Sequence, residues 1–211
     1  MTTGGGVVGV DVGVGVGPVG TGLVGPVGLG VGVRPGTGSD GAANPNHERM
    51  AMARLDPRHR GLFGAAWALA SIGATAEGGV VAVTPGALAG EFGLLREGGT
   101  VYPIYHVIAG MAEAARQDAI EARPSDATRI ASLAHRKADG GSCLWLANLC
   151  DTSQKVRVPD LGGDAQLACL DEASFAVAAN DAVFLRKQAQ PLSRPEIEIG
   201  AYGVVRIESG S

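Results

Sequence analysis

The sequence contains few of the residues that carry metal or redox chemistry. Among its 211 residues are four histidines and three cysteines, and aromatic residues make up 4%. Cys143, Cys150 and Cys169 are an odd number and are spaced too widely for a CxxC metal site. Each lies in an apolar stretch or in one where apolar and polar residues alternate, so we predict buried free thiols rather than metal ligands or a disulfide framework. Free thiols are usual in a reducing compartment.

The histidines and serines also lack the spacing of known catalytic and metal-binding motifs. His47, His59 and His135 form no HxxxH or HxH pair, so a zinc or iron site is not predicted. Ser71 and Ser132 are not in a G-x-S-x-G sequence, which a hydrolase nucleophile on a strand-to-helix turn would require. We therefore predict neither a metal nor a cofactor.

Positive charge and long apolar runs are scarce as well. The formal net charge is −4, and Lys and Arg are not clustered, so the basic surface of a nucleic-acid-binding protein is not predicted. No Lys- or Arg-led apolar segment opens the chain, and no stretch of about 20 apolar residues is free of Gly and Pro. We predict a soluble, cytoplasmic protein with no nucleic-acid or membrane partner, and the sequence leaves the oligomeric state open.

Glycine, in contrast, is abundant, and it dominates residues 1–46. Sixteen of the first 41 residues are Gly and eleven are Val. Gly15, Gly17 and Gly20 match the GxGxxG spacing of a dinucleotide-binding loop, but more Gly and Val follow where that loop needs a helix and an acidic residue. Glycine at nearly every second position removes one side-chain face of a strand and adds backbone entropy. We predict a disordered low-complexity segment, with 24–33 as its best candidate for a strand.

Residues 47–123 begin with a helix pattern. Asp56 is a typical N-cap and Pro57 suits the first helical position, and apolar residues then recur every three or four positions. Gly78 and Gly79 predict the end of this helix.

A strand and a second helix are predicted to follow. Residues 80–84, VVAVT, are uncharged and β-rich, which is typical of a strand covered on both faces. Pro103 can open a helix over about 101–117. The order helix, strand, helix is the pattern of an α/β barrel or doubly wound sheet, in which neighbouring strands supply the hydrogen bonds of each buried strand.

Residues 124–211 change to an alternating pattern of apolar and polar residues. Gly, Asp, Asn and Pro separate the alternating stretches at roughly 8–12 residues, which predicts an antiparallel sandwich or small barrel. We predict strands within 128–137, 142–150, 154–159, 165–171, 182–187 and 195–208, the last of these holding two strands joined by GAYG.

Four stretches of the chain resemble the C-terminal portion of the D-apionate lactonase family. The resemblance covers roughly residues 44–211, and its most distinctive part is the LFGAAW helix. It implies the last helix, strand and helix of a TIM barrel over 47–123 and a C-terminal β-sandwich domain over 124–211. The stretches are DPRHRGLFGAAWALASIGATAEGGVVAVT, VYPIYHVIAGMAEAAR, CLWLANLCDTSQKVRV and IEIGAYGVVRIE.

The resemblance implies two candidate catalytic residues. Glu91 follows the predicted last barrel strand, on the face where barrel active sites gather, and His106 lies one turn into the next helix. No second carboxylate can be paired with Glu91, so we favour a solvated loop charge; for His106 we favour a local hydrogen bond or packing at the barrel rim. Pro85 stands where the resemblance implies an acidic residue, which puts the contribution of this loop to catalysis in doubt.

The two tryptophans are both predicted to lie in the core. Trp67 is on an Ala-rich helix, where one large ring would fill the space beside small neighbours. Trp145 alternates with Cys143 and Ala147, which suits an inward face better than the alternative, a shallow sugar-binding surface.

Three functions follow as hypotheses. The first is a fragment or divergent member of a carbohydrate-acting hydrolase whose implied reaction is the hydrolysis of a small sugar-acid lactone. Because the first six strands of a barrel need about 180 residues and only 46 precede His47, we expect the chain to be inactive on its own. The alternatives are a non-catalytic β-sandwich accessory or carbohydrate-binding module and, from the barrel alone, a glycoside hydrolase.

Overall fold

The computed structural model describes residues 7–13, 56–80, 82–90, 92–159 and 161–210. A short 3-10 helix covers Pro57–Arg60. The α-helices in these ranges are α1 Leu62–Glu77, α2 Pro103–Glu113, α3 Phe175–Asn180 and α4 Phe184–Lys187. The strands are β1 Val8–Gly13, β2 Ala119–Pro124, β3 Ile130–Arg136, β4 Ser142–Asn148, β5 Gln154–Arg157, β6 Gln166–Leu170, β7 Gln190–Pro191, β8 Glu196–Ile199 and β9 Val204–Ser209.

The strands form one curled sheet in the order β7-β6-β9-β4-β3-β2-β1-β5-β8. Neighbouring strands are antiparallel except β1 and β5, which are parallel. The antiparallel pairing predicted for 124–211 is confirmed for the strand pairs within that region, and the parallel pair involves β1, which lies outside it. The prediction could not include this pair, because β1 belongs to the segment that was expected to be disordered.

The first helical segment begins where the sequence predicts, but in two steps. Asp56 accepts a hydrogen bond from the backbone N–H of Arg58 at 3.0 Å and so caps the 3-10 helix. Gly61 then separates this turn from α1. A Cβ atom on Gly64 would lie 2.3 Å from the backbone oxygen of His59, so the close approach of the two turns requires glycine. The predicted end at Gly78 is confirmed.

The strand predicted at 80–84 is wrong. The described residues of this stretch have no regular structure, and the side chains of Val80 and Val83 are 50% and 43% exposed. No strand in the described part of the chain lies beside this segment to pair with its backbone. A β-rich composition by itself does not form a strand, because the ladder hydrogen bonds must come from a neighbour.

Helices α1 and α2 pack together on one face of the sheet. The second predicted helix is confirmed, with Pro103 at its start and both Ile104 and Val107 fully buried. A Cβ atom on Gly110 would lie 2.3 Å from the ring of Trp145, so α2 approaches β4 as closely as a glycine allows. Leu69 of α1 completes this helix–sheet core.

The opposite face of the sheet encloses a second core. Strand β4 contributes to both cores, because alternate side chains point to opposite faces. Leu144 and Leu146 lie in the second core, whereas Trp145 lies under the helices. The second core also takes buried apolar side chains from strands on both sides of β4 in the strand order: Val8, Val10, Ile130, Val156, Ile199, Val205 and Ile207.

The N-terminal segment departs from the predicted disorder at one place. Strand β1 lies between β2 and β5, and its Val8 and Val10 side chains are buried. Glycine content disfavours a strand here. Burial of the two valine side chains and pairing on both edges of β1 stabilise it nevertheless. The strand predicted at 24–33 lies outside the described residues.

One strand prediction in the C-terminal region is also wrong. Within the predicted strand 182–187, residues 184–187 form helix α4 instead. Phe184 and Leu185 are adjacent in sequence and both buried in the helix–sheet core, which a strand with alternating faces would not allow. The other predicted strands of this region correspond to β3, β4, β5, β6, β8 and β9. The domain boundary near 124 stays a prediction.

Candidate functional site

His106 lies in the first turns of α2 and is almost wholly buried, with 4% of its surface exposed. Its Nε2 atom lies 3.0 Å from the backbone oxygen of Ala178 in α3. Burial lowers the pKa of His106, and this effect outweighs the hydrogen bond to Ala178, which raises it. The ring is therefore neutral near pH 7, so that its Nε2–H can donate to the Ala178 oxygen and tie α2 to α3.

Beside His106, a small cavity opens between α2, α4 and the sheet. Two of its lining residues, Trp145 on β4 and Arg206 on β9, lie directly opposite each other in the antiparallel pair. The Arg206 guanidinium lies 5.6 Å from the centre of the Trp145 ring, within the range of a cation–π contact. Trp145 Nε1 and Arg206 Nε are buried, and neither has a hydrogen-bond partner among the residues that the structure describes.

Carboxylates balance the charge of Arg206. Its Nη2 atom lies 2.5 Å from Glu208 Oε1 and 3.8 Å from Glu113 Oε2. Glu113 also pairs with Arg186 of α4. Since two Arg and two Glu side chains meet here, this group of four side chains carries no net charge and does not attract an anion.

The cavity is too small for a sugar-sized ligand. Its volume is about 60 Å³, whereas pockets for small organic ligands have about 300–1,000 Å³. The two donors beside the cavity that lack a partner among the described residues, Trp145 Nε1 and Arg206 Nε, are themselves buried. The cavity therefore does not hold a lactone in this conformation.

The loop after α1 contains the other predicted candidate, Glu91, which lies outside the described residues. Around it, the edge of the Phe92 ring packs on His59 with ring centres 6.0 Å apart. Arg60 and Arg96 both lie over the ring of Tyr102, with guanidinium carbons 5.5 and 5.6 Å from its centre. The described residues beside this loop are thus aromatic and cationic, and the position of Glu91 relative to His106 lies outside the described residues.

The cysteines are free, as the sequence predicts. Burial raises the pKa of Cys143 to about 11, and the same effect raises the pKa of Cys169 to about 11. Neither is a thiolate near neutral pH, so neither is an activated nucleophile.

The described ranges hold no group of three or more His, Cys, Asp or Glu side chains that could bind a metal ion. None of the helices in that part of the chain has the length and apolar character of a membrane span.

The predicted core position is confirmed for one tryptophan and wrong for the other. Trp145 is 1% exposed and packs on Gly110, so it is not a sugar-binding platform. Trp67 is 48% exposed, because α1 turns its small residues and Leu69 toward the core and Trp67 away from it.

Similarity to known proteins extends over both the helical part and the strand-rich part of the chain. A model described as the D-apionate lactonase TIM barrel domain matches residues 21–116, and a model of the C-terminal immunoglobulin-like domain of the same enzyme matches residues 127–207. A barrel domain followed by an immunoglobulin-like domain defines a class of two-domain proteins. Within that class, this chain belongs to the D-apionate lactonase family.

A curated relative agrees with this family but is much longer than the chain. The D-apionate lactonase of Brucella anthropi is 33% identical over 130 residues, which cover 57% of this chain and 20% of that protein. The chain thus spans about a fifth of that relative. Among solved structures, a GH30 endoxylanase from Clostridium papyrosolvens C71 is 15% identical over 72% of this chain and 39% of its own, with a TM-score of 0.49. A GH30 xylanase from Clostridium acetobutylicum is 9% identical over 72% of this chain and 40% of its own, with a TM-score of 0.46.

Sequence reasoning missed the Trp145–Arg206 pair and the contacts around it. Alternation within 142–150 and 195–208 gave the face of each residue, but not which two strands are neighbours. The order β6-β9-β4 places the last strand of the chain in the middle of the sheet, and no local pattern indicates this.

Proposed function

We propose that the chain is part of a carbohydrate-acting hydrolase that opens a small sugar-acid lactone. The observation that carries this proposal is the match of two consecutive segments, 21–116 and 127–207, to the two domains of D-apionate lactonase. In the reaction, water attacks the lactone carbonyl, the ring C–O bond breaks, and the product is a hydroxy acid. Such a step needs a base for the water and donors for the oxyanion.

We further propose that the chain does not catalyse this reaction by itself. The support is the size of the cavity beside His106, whose volume of about 60 Å³ cannot enclose a sugar lactone together with a base and oxyanion donors. His106, one of the two candidates, is buried against Ala178 and would not reach a ligand of that size. Its role in this proposal is to position α2 against α3.

The test is a direct assay of lactone hydrolysis. The purified chain is incubated with the lactone of D-apionate, and release of acid is followed at constant pH. The Brucella anthropi D-apionate lactonase serves as the positive control, and buffer and heat-unfolded chain serve as blanks. We expect a rate equal to the blanks, and a rate above them would overturn the proposal of inactivity.

If the chain is active, one variant and a matched control test whether Glu91 is the base. Glu91→Gln removes the carboxylate with little change of size, and it should abolish hydrolysis only if Glu91 is the base. Glu97→Gln, a change in the same region, is the matched control. Hydrolysis of xylan but not of the lactone would favour the glycoside hydrolase hypothesis instead.

A second candidate function is a non-catalytic accessory domain. It is supported by the continuous core that the curled sheet encloses, which does not depend on the helices. In this case the full chain should show no hydrolysis of either substrate, while binding to sugar acids would be measurable by calorimetry.

A further inference from the structure

Strand β1 is joined to the rest of the sheet only by partners far away in sequence. Asp11 is the Cα partner of Arg123 in β2, and Val8 is the Cα partner of Val156 in β5. β1 therefore fills a slot between two strands that would otherwise each present an unpaired edge. Unpaired edges bind other strands readily.

The contacts in this slot are strong for so short a strand. The Gly9 N–H donates to Ser125 Oγ at 3.0 Å, and the Ser125 N–H donates to the Gly9 oxygen at 2.7 Å. The side chains of Val8 and Val10 are each only 4% exposed. The two valine side chains of β1 thus contribute to the core, and its backbone pairs with both neighbouring strands.

The sequence of β1 and of the residues after it repeats a two-residue unit in which every second residue is valine. Valine occupies positions 8, 10, 12, 14 and 16, so a shift by two residues again places valines toward the core. Asp11, the only charged side chain in the first 33 residues, distinguishes one register from the next, since only the observed register sets it opposite Arg123. Gly-rich strands with repeated patterns specify their pairing weakly and tend to exchange between copies.

None of these contacts requires β1 to come from the same copy of the chain. A second copy presents an identical strand with identical valines and an identical aspartate, and exchange of an identical element is a low-cost route to a dimer. We propose that the slot between β2 and β5 accepts residues 8–13 of a second copy, which produces a strand-exchanged dimer in which each copy completes the sheet of the other.

The test uses two cysteine variants of the full chain. One preparation carries Asp11→Cys and the other Arg123→Cys, and the two are mixed in denaturant, refolded together and oxidised. Directly opposed residues of an antiparallel pair lie within the Cα range of a disulfide. A disulfide between the two preparations can form at this position only when β1 of one copy lies in the slot of the other.

Two controls complete the experiment. The double variant Asp11→Cys/Arg123→Cys, refolded at high dilution, should form the bond within one chain. A mixture of Asp11→Cys with Glu172→Cys places the second thiol on an exposed residue after β6, which does not pair with β1, and reports the background from the native cysteines.

We expect the first mixture to give a reducible species of twice the 21.2 kDa chain mass, well above the background mixture. If the double variant closes within one chain but the mixture gives only background, β1 does not exchange and the proposal is overturned. If the double variant fails to close, β1 does not occupy the slot at all, which overturns it as well. Neither outcome depends on hydrolytic activity.

Discussion

At the scale of single residues, burial decides what the candidate side chains do. His106 has the chemistry of a general base, but its ring is enclosed by α2, α3 and the neighbouring Phe184, and its Nε2 is bonded to a backbone oxygen. Cys143 has a nucleophilic atom, but burial raises its thiol pKa to about 11. Both residues are therefore structural in this conformation, although neither looks so from its residue type alone.

We expect the stability of the chain to fall as the pH drops below about 6.5, the unfolded histidine pKa, and His106 to cause part of that fall. Burial lowers the pKa of His106 and of His135 in the folded state, so the unfolded chain binds protons more readily. The stabilisation is complete above the unfolded pKa near 6.5 and is lost as the pH falls through the lower folded values, by at most about 1.4 kcal/mol per pH unit for one histidine.

The measurement is urea unfolding of the chain and of His106→Phe at several pH values. The variant should be less stable at pH 7.5 by about 1–3 kcal/mol, because the Ala178 oxygen loses its donor. Its stability should then depend less steeply on pH, with His135→Phe as the matched comparison. If the stability of His106→Phe falls with pH as steeply as that of the wild type, His106 does not cause the pH dependence.

At the scale of elements, the contact between α2 and β4 depends on one glycine. Gly110 faces the ring of Trp145, and a Cβ atom there would lie 2.3 Å from the nearest ring atom. Helix propensity favours alanine over glycine by roughly 1 kcal/mol, but the collision forces the helix and the sheet apart. Packing therefore overrides propensity at this position.

We expect Gly110→Ala to lower the free energy of unfolding by about 1–3 kcal/mol, the usual cost of an overfilled core. Gly163→Ala is the control, because a Cβ atom there meets nothing within 4 Å. Urea denaturation of both variants measures the difference. A Gly110→Ala chain as stable as the wild type would show that α2 lies farther from β4.

At the scale of the whole molecule, β1 joins the N-terminal segment to the C-terminal sheet. The pair Asp11 and Arg123 sets opposite charges across from each other in this junction. We expect Asp11→Lys to destabilise the chain by about 0.2–1 kcal/mol, since like charges then face each other across the strands. Combining it with Arg123→Glu should restore part of that loss.

This double-mutant cycle is measured by urea unfolding at low ionic strength, where screening of exposed charges is weakest. Arg123→Glu alone also loses its ion pair with Glu121, so only the coupling energy of the cycle is diagnostic. A coupling energy of zero would mean that Asp11 does not face Arg123.

Local features were predicted well from the sequence, and long-range ones were not. The caps around Asp56 and Gly78, the start of α2 at Pro103 and the alternation in β4 all depend on residues near each other in the chain. The helix α4 was mistaken for a strand, because its four residues form barely more than one turn and show no helical periodicity. Of the two candidate site residues, the sequence could name His106 but could not show that α3 covers it.

What the sequence by itself determined is the family, the helix and strand periods, and the absence of charge and ligand patterns for nucleic acid or metal. Only the tertiary structure decided that Trp145 is buried while Trp67 is exposed, that 80–84 is not a strand, and that β1 pairs with β2 and β5. The reason is physical. Caps and periodicity arise from neighbours along the chain, whereas burial and strand pairing depend on which distant segment supplies the opposing surface.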